Sequence, residues 1–502
     1  MFEVFVGPRC DGHDIEERIE SILELDHGSR QIYNLYRDIE NFVSDEMTDE
    51  VVPYFVDYIT QCVYLFEIGV PTEQDGHKVF VTMNDRGLKL SPIDLLKGYF
   101  LSNIRNARSN RSAHQNWNEI IGTLKSFGND EDSAFFKTML RAQYAESIRG
   151  KNKGDAPGDF EIIGDSYHRW VADNKVNIGL NTADDFFDFL SKHLPNSVNY
   201  YANIRKAEET FSTNFPHVFY NAARGLTLQT MLILAAINAE DTAQIVSQKI
   251  RAISYYLDFY ATSRILSGQD NTYDNIRDPI FQLVKIYRRK SIHDLQDLIK
   301  KSIGSLDIGA LVRNVKFALI KRRDLLHLLA RIATYLENEL ELTNSVGFPA
   351  YIDRNQGNRS FDVENIISNT QEIIYSESPR VIFTTSTTYN RDFIGGLILL
   401  PRSRNRSLQA KSYQAKVEVY QTENVLAQTL CTSLYTNNPA VNRFIANMGI
   451  LLKPISEFAA DSMKERGELY AEIARKIWGT PAFMTAIDET AGCTAMEDSF
   501  NL

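Results

Sequence analysis

Helical hydrophobic periodicity in the long middle of the chain is the sequence feature that most constrains its fold. Over residues 117–340, apolar side chains recur in amphipathic stretches with few strand signals, and residues 324–342 are a clear example. The most apolar stretch, residues 226–239, is interrupted by Thr, Gln and Asn and falls short of the roughly 20 apolar residues that a membrane span requires. The sequence therefore predicts a mainly α-helical protein with a buried core helix at 226–239 and no membrane association.

The composition changes after this helical middle. Residues 348–389 are rich in Ser, Thr, Asn, Ile and Val and contain short strand-like pieces, another such piece covers 393–401, and helices return after Ser412. A chain of 502 residues also exceeds what a single hydrophobic core supports. We therefore predict domains at 1–112, 113–342 and 343–480, followed by a tail at 481–502. An apolar stripe at helical spacing within 51–66 is expected to pack into the core of the first domain.

The overall charge restricts how this protein can bind nucleic acid. Lys and Arg number 54 against 65 Asp and Glu, which gives a formal net charge of −11. Neutralisation of phosphates drives non-specific DNA binding, so a protein that only coats nucleic acid is normally basic. Any DNA contact here must therefore use a local basic patch on an acidic body.

The cysteines and the first residues indicate the compartment. The four cysteines are far apart and form no CxxC pair, which is typical of a reducing environment. The first residues carry charge early and lack the apolar run of a secretory signal. We therefore expect a cytoplasmic protein.

A compact motif occupies residues 78–101. A turn rich in Asn, Asp and Gly follows a short strand-like piece, and Ser91 and Pro92 then begin a helix as N-cap and first-turn proline. Asp94 suits the positive end of that helix. Such a loop at a helix N-terminus can hold an anion such as a phosphate. A strand, turn and helix without a ligand is the simpler explanation of the same residues.

This motif resembles the second conserved block of the GmrSD-type restriction endonucleases, which reads F-x-x-x-N-x-R-G-x-x-L-x-x-x-D-x-x-K. The matching positions are Phe80, Asn84, Arg86, Gly87, Leu90, Asp94 and Lys97. In that family the block forms a ParB-like nucleotide site together with an upstream Asp-Gly-Gln-Gln-Arg motif. The resemblance implies nucleotide-binding residues, which are Asn84, Arg86, Gly87, Asp94 and Lys97.

The upstream part of that nucleotide site has no match in this chain. Both Asp-Gly pairs, at Asp11 and Asp75, are followed by His instead of Gln-Gln-Arg. We expect either that a partner chain supplies the missing N-terminal subdomain or that this subdomain has been lost. A nucleotide is therefore expected as a cofactor only together with the missing half, and the chain alone is expected not to hydrolyse nucleotides.

A second constellation covers residues 362–416. An HNH nuclease site has a strand ending in an acidic residue and His, a second strand, and a helix carrying Asn and a final His or Lys. The acidic and helix residues hold one divalent cation, and the first His acts as the general base. Here DVENI at 362–366 matches the first strand and GGLILL at 395–400 matches the second, while Asn405 and Lys416 fall at the helix positions.

The surrounding helices are also similar to the GmrSD C-terminal domain, so the resemblance extends over most of the chain. It implies Glu364, Asn365, Asn405 and Lys416 as the catalytic positions. It further implies Mg²⁺ or Mn²⁺ bound by Glu364 and Asn405, if the nuclease site is functional. The expected fold is mainly α, with a helical middle, a partial ParB-like α/β piece at the N-terminus and an HNH-like ββα unit embedded in helices near the C-terminus.

The decisive departure from the nuclease pattern is Asn365, which stands where the general-base His belongs. The last of the nine histidines is His327, so none follows in the HNH-like segment. An amide does not accept a proton near neutral pH and cannot replace imidazole as a base. We therefore expect the nuclease site to be inactive, and the sequence leaves enzymatic activity open.

Basic residues follow the second strand with no acidic residue among them as far as Lys416. In a nuclease frame such a cluster would contact DNA phosphates, whereas a solvated charged face is the simpler explanation. The predicted DNA-binding residues are Arg402, Arg404, Arg406 and Lys411.

Three functions agree with these observations. The leading hypothesis is a component of a GmrSD-like restriction system directed against phage, which binds DNA, including modified phage DNA, and carries an inactive HNH site. The first alternative is an active metal-dependent DNA endonuclease that uses another base, such as Glu364 or a residue of a partner. The second alternative is a non-enzymatic interaction module for an intact paralogue.

Overall fold

The computed structural model describes most of the chain from residue 91 onward and short stretches before it. The described residues are 35, 38, 50–64, 67, 69–70, 79, 91–149, 152, 154–316, 320–367, 393–408, 411–449 and 452–488. The chain forms two compact units, Met1–Gly76 and His77–Leu502. The division at residue 76 falls inside the domain predicted at 1–112, and the finer boundaries at 112, 342 and 480 stay predictions.

The first unit contains one described helix, α1, which spans Val52–Cys62 and has a proline in its first turn. All of its residues are exposed, including Phe55 at 43% and Tyr58 at 60%. The prediction that this apolar stripe packs into a core is therefore wrong for the described residues. Helical spacing places apolar side chains on one face, but burial also needs a surface to pack against.

Between the first described helix of the second unit and its sheet, the described residues form a series of helices and their connections. Their bounds are α2 Pro92–Ser102, α3 Ala107–Lys125, α4 Glu131–Gln143, α5 Asp159–Asp173, α6 Lys175–Ile178, α7 Ala183–Asp188, α8 Leu194–Glu209, α9 Pro216–Ala223, α10 Gln229–Ala236, α11 Ala243–Leu266, α12 Tyr273–Tyr287, α13 Ile292–Gly304, α14 Ile308–Arg313, α15 Arg322–Glu339 and α16 Phe348–Ile352. A π-helical turn, Phe189–His193, joins α7 to α8.

The start of α2 follows the sequence prediction. Ser91 is the N-cap and accepts a hydrogen bond from the Asp94 amide at 3.3 Å, and Pro92 is the first helical residue. The Ser91 hydroxyl also donates to the Asp94 carboxylate at 2.5 Å. The side-chain cap and the fixed φ of proline together determine where this helix begins.

The core of the second unit lies around α10 and α11. All residues of α10 are buried, which confirms the predicted core helix, and α11 is buried over most of its 24 residues. α11 packs against α9, α10 and α13. No helix within the described ranges is both long and apolar enough to cross a bilayer.

A small sheet and further helices complete the second unit. Strands β1 (Phe361–Asn365) and β2 (Leu397–Pro401) pair in antiparallel register, with Phe361 opposite Pro401 and Asn365 opposite Leu397. The later helices are α17 Arg402–Leu408, α18 Tyr413–Tyr420, α19 Val425–Gln428, α20 Pro439–Met448, α21 Ala460–Trp478 and α22 Thr480–Asp488. The described residues thus form a mainly α-helical fold with one two-stranded sheet, and both strands lie where the sequence predicted them.

A buried charged cluster ties the helical core to α21. The Asp258 side chain in α11 is fully buried, and its Oδ2 accepts a hydrogen bond from Trp478 Nε1 at 2.9 Å. Arg331 Nη2 and His217 Nδ1 each lie 3.1 Å from the same oxygen. Burial alone would raise the pKa of Asp258, but Arg331 and His217 hold it well below its ordinary value.

Candidate nucleic-acid interface at the two-stranded sheet

The two strands and α17 form a ββα unit. β2 ends at Pro401 and α17 begins at the next residue, so the sheet leads directly into the helix. The Arg402 amide donates to the Ser360 carbonyl at 3.0 Å, which fixes the first turn of α17 beside the start of β1. α17 packs against both strands, and α15 packs against the strands as well. The predicted succession of strand, strand and helix is therefore present in space.

Side chains from elsewhere in the chain close the outer edge of β1. The Ile366 amide donates to the Gly396 carbonyl at 2.9 Å. Because hydrogen-bonded pairs alternate along an antiparallel ladder, the carbonyls of residues 361, 363 and 365 point away from β2. The donors to these carbonyls are Arg354 to Phe361 at 3.2 Å, Arg322 at 3.2 Å and Asn405 at 3.0 Å to Val363, and Lys416 to Asn365 at 2.9 Å.

The outer edge of β2 is closed in the same manner. Asn424 Nδ2 donates to the Leu399 carbonyl at 2.5 Å, and the Tyr470 hydroxyl donates to the Leu397 carbonyl at 3.0 Å. A two-stranded sheet is marginal by itself, and an open edge is a template for pairing with another chain. The side-chain donors satisfy the carbonyls and hold this small sheet in place among the helices.

Two of the predicted catalytic residues form a buried ion pair. Lys416 Nζ lies 2.6 Å from Glu364 Oε1, and the two side chains are 1% and 5% exposed. Lys416 lies in the first turn of α18, whose N-cap is Ser412. Burial raises the pKa of the neighbouring Tyr420 hydroxyl, and the negative charge of Glu364 raises it further. Glu364 is thus a deeply buried carboxylate with an ammonium group in hydrogen-bonding contact.

The other two predicted catalytic residues make contacts to the backbone of β1. Asn405 is buried, and its Nδ2 donates to the Val363 carbonyl, one residue before Glu364. The Asn365 carbonyl accepts from Lys416. The structure therefore brings Glu364, Asn365, Asn405 and Lys416 to one end of the ββα unit. Asn405 on α17 and Lys416 on α18 each donate a hydrogen bond to a carbonyl of β1.

This donor set does not fit a divalent cation well. Mg²⁺ and Mn²⁺ prefer carboxylate, carbonyl and water oxygens, and the one carboxylate here already faces a cationic ammonium group. Asn405 directs its amide nitrogen, which is not a ligand atom, at Val363. Among the described residues, no group of three or more His, Cys, Asp or Glu side chains is arranged to hold a metal ion. The predicted metal ligation by Glu364 and Asn405 stays a prediction.

The predicted DNA-binding residues lie at the protein surface. Arg404, Arg406 and Lys411 are exposed, and Arg402 is half-buried. Arg404 Nε lies 3.2 Å from Glu423 Oε1, an ion pair that the sequence gave no reason to expect because Glu423 follows α18. The positive charge of Arg404 is therefore partly balanced before any DNA binds.

Two further arginines near the sheet were missed in the sequence. Arg322 forms an ion pair with Asp362 and donates to the Val363 carbonyl, and Arg354 donates to the Phe361 carbonyl. Both are far from α17 along the chain, so local charge patterning does not reveal them. One signal was available, because Arg322 and Arg323 begin a helix, where positive charge is unfavourable.

Most of the predicted nucleotide site lies outside the described residues, namely Asn84, Arg86 and Gly87. Asp94 and Lys97 lie on α2, where Lys97 Nζ donates to Asn118 Oδ1 of α3 at 3.2 Å. Partial burial lowers the pKa of Lys97, and the negative charge of Asp94 opposes this effect. The nucleotide-binding role of these five residues stays a prediction.

No known protein family, curated protein or solved structure matches this chain.

Proposed function

We propose that this protein is a DNA-binding component of a GmrSD-like restriction system, with an HNH-like ββα unit that does not cut DNA. The observation that best supports this proposal is the buried Glu364–Lys416 ion pair, which joins α18 to a ββα unit whose helix presents arginines to solvent. A phosphate backbone binds to such cationic side chains without regard to sequence. The target implied by the resemblance is DNA with modified bases, such as phage DNA.

The chemistry of the unit supports binding without cleavage. Hydrolysis at an HNH site needs a base that takes a proton from water, and general-base catalysis typically contributes about 10²–10⁴-fold. Asn365 supplies an amide, which does not act as a base at neutral pH. The Lys416 ammonium at 2.6 Å also opposes the binding of a second cation to Glu364. The lack of a base and the weakened binding of a metal cation both affect the chemical step. Neither of them affects the surface arginines.

An active endonuclease that uses Glu364 as its base is less well supported. Glu364 is only 4% exposed, so water has little access to its carboxylate. Lys416 Nζ also lies 2.6 Å from Glu364 Oε1, so an oxygen that would have to contact the attacking water is already occupied by an ammonium group. A base supplied by a partner chain would avoid the first difficulty, but it would leave the ammonium group on Glu364.

A non-enzymatic interaction module is the second candidate, and α1 favours it. This helix exposes Tyr54, Phe55 and Val56 together with the rest of its apolar residues. Contiguous exposed apolar surface of this kind often marks a protein–protein contact. A partner chain that carries the Asp-Gly-Gln-Gln-Arg motif belongs to this proposal, as does nucleotide binding through that partner.

Relaxation of supercoiled plasmid in Mg²⁺ or Mn²⁺ tests the absence of cleavage. We expect no nicking by the wild type, and none by Asn365→His, because a new imidazole leaves the ammonium group on Glu364. Glu364→Gln is the matched variant for any activity that appears. Nicking by the wild type that disappears in Glu364→Gln would overturn the proposal in favour of the active endonuclease.

Binding of a fluorescein-labelled DNA duplex at several salt concentrations tests the other half of the proposal. The triple variant Arg402→Gln, Arg404→Gln and Arg406→Gln removes three cationic side chains. We expect the salt slope to fall by about two phosphate contacts instead of three, because Arg404 already interacts with Glu423. The absence of salt-sensitive binding by the wild type would refute DNA binding through this face.

A further inference from the structure

Three arginines from separate parts of the chain meet at the beginning of β1. Arg322 is the first residue of α15, Arg354 follows α16, and Arg402 is the first residue of α17. Arg354 and Arg322 donate to successive outward carbonyls of β1, those of Phe361 and Val363. We call Arg322, Arg354 and Arg402 the β1 arginine cluster.

The positive charges of this cluster exceed the negative charge beside them. Partial burial lowers the pKa of Arg354, and the charges of Arg402 and Arg322 lower it further, while Asp362 opposes them. Asp362 also forms the ion pair with Arg322. Asp362 is the carboxylate that opposes the arginine charges at Arg354, and the three guanidinium groups repel one another.

The position of Arg322 adds to this cost. α15 has 18 residues, and its N-terminal end carries Arg322 and Arg323 in the first turn. Cationic side chains are unfavourable at the positive end of a helix, typically by about 0.3–1 kcal/mol each. Asp324 in the same turn offsets a part of this effect. An arrangement that costs stability in the unbound protein is relieved when an anion binds to it.

We infer that the β1 arginine cluster binds a phosphodiester group of the DNA backbone, beyond the contacts made by the other residues of α17. This inference rests on the proposed function, because it assigns a second contact region to the same DNA-binding face. The guanidinium fork matches phosphate oxygens in geometry as well as in charge. The cluster lies on open surface, with Arg322 50% exposed, which suits a polymer backbone.

The Asp362 carboxylate competes with a phosphate group for the β1 arginine cluster. Its carboxylate pairs with Arg322 and contributes the opposing charge at Arg354. A phosphate that approaches the cluster must overcome the repulsion of this carboxylate. Neutralising Asp362 therefore strengthens DNA binding, whereas a purely structural role for the ion pair would make the same change neutral or harmful.

Fluorescence anisotropy with a labelled DNA duplex tests the inference. The salt concentration varies over about 50–200 mM, a range over which phosphate contacts strongly affect affinity. The variants are Arg322→Gln with Arg354→Gln, Asp362→Asn, and a control pair of exposed arginines on α3, Arg108→Gln with Arg111→Gln. We expect the first double variant to reduce the salt slope by about two, and Asp362→Asn to tighten binding and steepen the slope. The control pair should match the wild type.

The outcomes separate this inference from the proposed function. A wild type that binds no DNA overturns both. Either of two results overturns the inference about the cluster and leaves the proposed function intact. The first is DNA binding by the wild type with an unchanged salt slope in the Arg322 and Arg354 variant. The second is weaker DNA binding by Asp362→Asn in a protein that melts like the wild type. Replacing chloride by inorganic phosphate at equal ionic strength tests whether the cluster is the anion site. We expect inhibition beyond the chloride value in the wild type and less in the Arg322 and Arg354 variant, and equal inhibition of both proteins would overturn the cluster as that site.

Discussion

Replacing Lys416 by Met breaks the buried ion pair and should destabilise the ββα unit strongly. Removing one partner of a buried pair costs about 3–5 kcal/mol, because the remaining charge stays buried without compensation. The Asn365 carbonyl also loses its donor at 2.9 Å, which costs about 1–3 kcal/mol when the group stays buried. Met has a volume close to that of Lys, so a cavity adds little. We expect a net loss of about 4–8 kcal/mol in local stability.

Hydrogen exchange followed by mass spectrometry is the appropriate assay, because it reports the opening free energy of individual segments in a large protein. Peptides that cover β1 and α18 should exchange faster in Lys416→Met. The matched control is Lys453→Met, since Lys453 and Glu465 form the same type of pair at 3.1 Å with 43% and 49% exposure. An exposed pair contributes at most about 1 kcal/mol, so the control should change exchange little.

The double variant Glu364→Leu with Lys416→Met completes the test. An apolar pair of similar volume avoids the buried charge, so most of the lost protection should return. A loss below about 1 kcal/mol in Lys416→Met, or a double variant less stable than the single one, would refute the claim that the two residues form a tightly coupled buried pair.

Two further predictions concern the buried groups. Asp258→Asn should cost about 3–5 kcal/mol, because it leaves Arg331 buried without its carboxylate. The pKa of Asp258 is held low in the folded protein, so its contribution is present above its unfolded pKa of about 3.9 and is lost as the pH falls below that value. Thermal unfolding of the wild type between about pH 2 and pH 5 should therefore show an acid sensitivity, largest below about pH 4, that Asp258→Asn reduces. Burial raises the pKa of the Cys431 thiol to about 11 from an ordinary value of 9.0, so its thiolate fraction at neutral pH should be about 100-fold below that of an ordinary thiol. Peptide-resolved alkylation at pH 7 should modify the exposed Cys62 first, and equal rates would contradict this prediction.

Local signals in the sequence were sufficient for much of the fold. Hydrophobic periodicity located α10 and α15, and the Ser91 cap with Pro92 located the start of α2. Short β-branched and apolar runs located both strands. These features depend on neighbours within a few residues, which is the range over which sequence patterns act.

The remaining features depend on contacts between distant residues. The sequence indicated that Glu364 and Lys416 belong to one unit, but not that the ammonium would lie on the carboxylate. It also could not show that Glu423 balances Arg404 or that Arg354 reaches β1. Such pairings arise when helices pack, and their positions in the chain carry no periodic signal.

The closure of the β2 edge has a consequence for the order in which this protein can be made. Asn424, Arg466 and Tyr470 donate to carbonyls at or just before β2, and all three follow that strand in the chain. A ribosome releases these residues only after both strands have emerged. The two-stranded sheet therefore lacks the Arg466 and Tyr470 donors until α21 is synthesised, and a product that stops before Arg466 should be a substrate for chaperones or proteases.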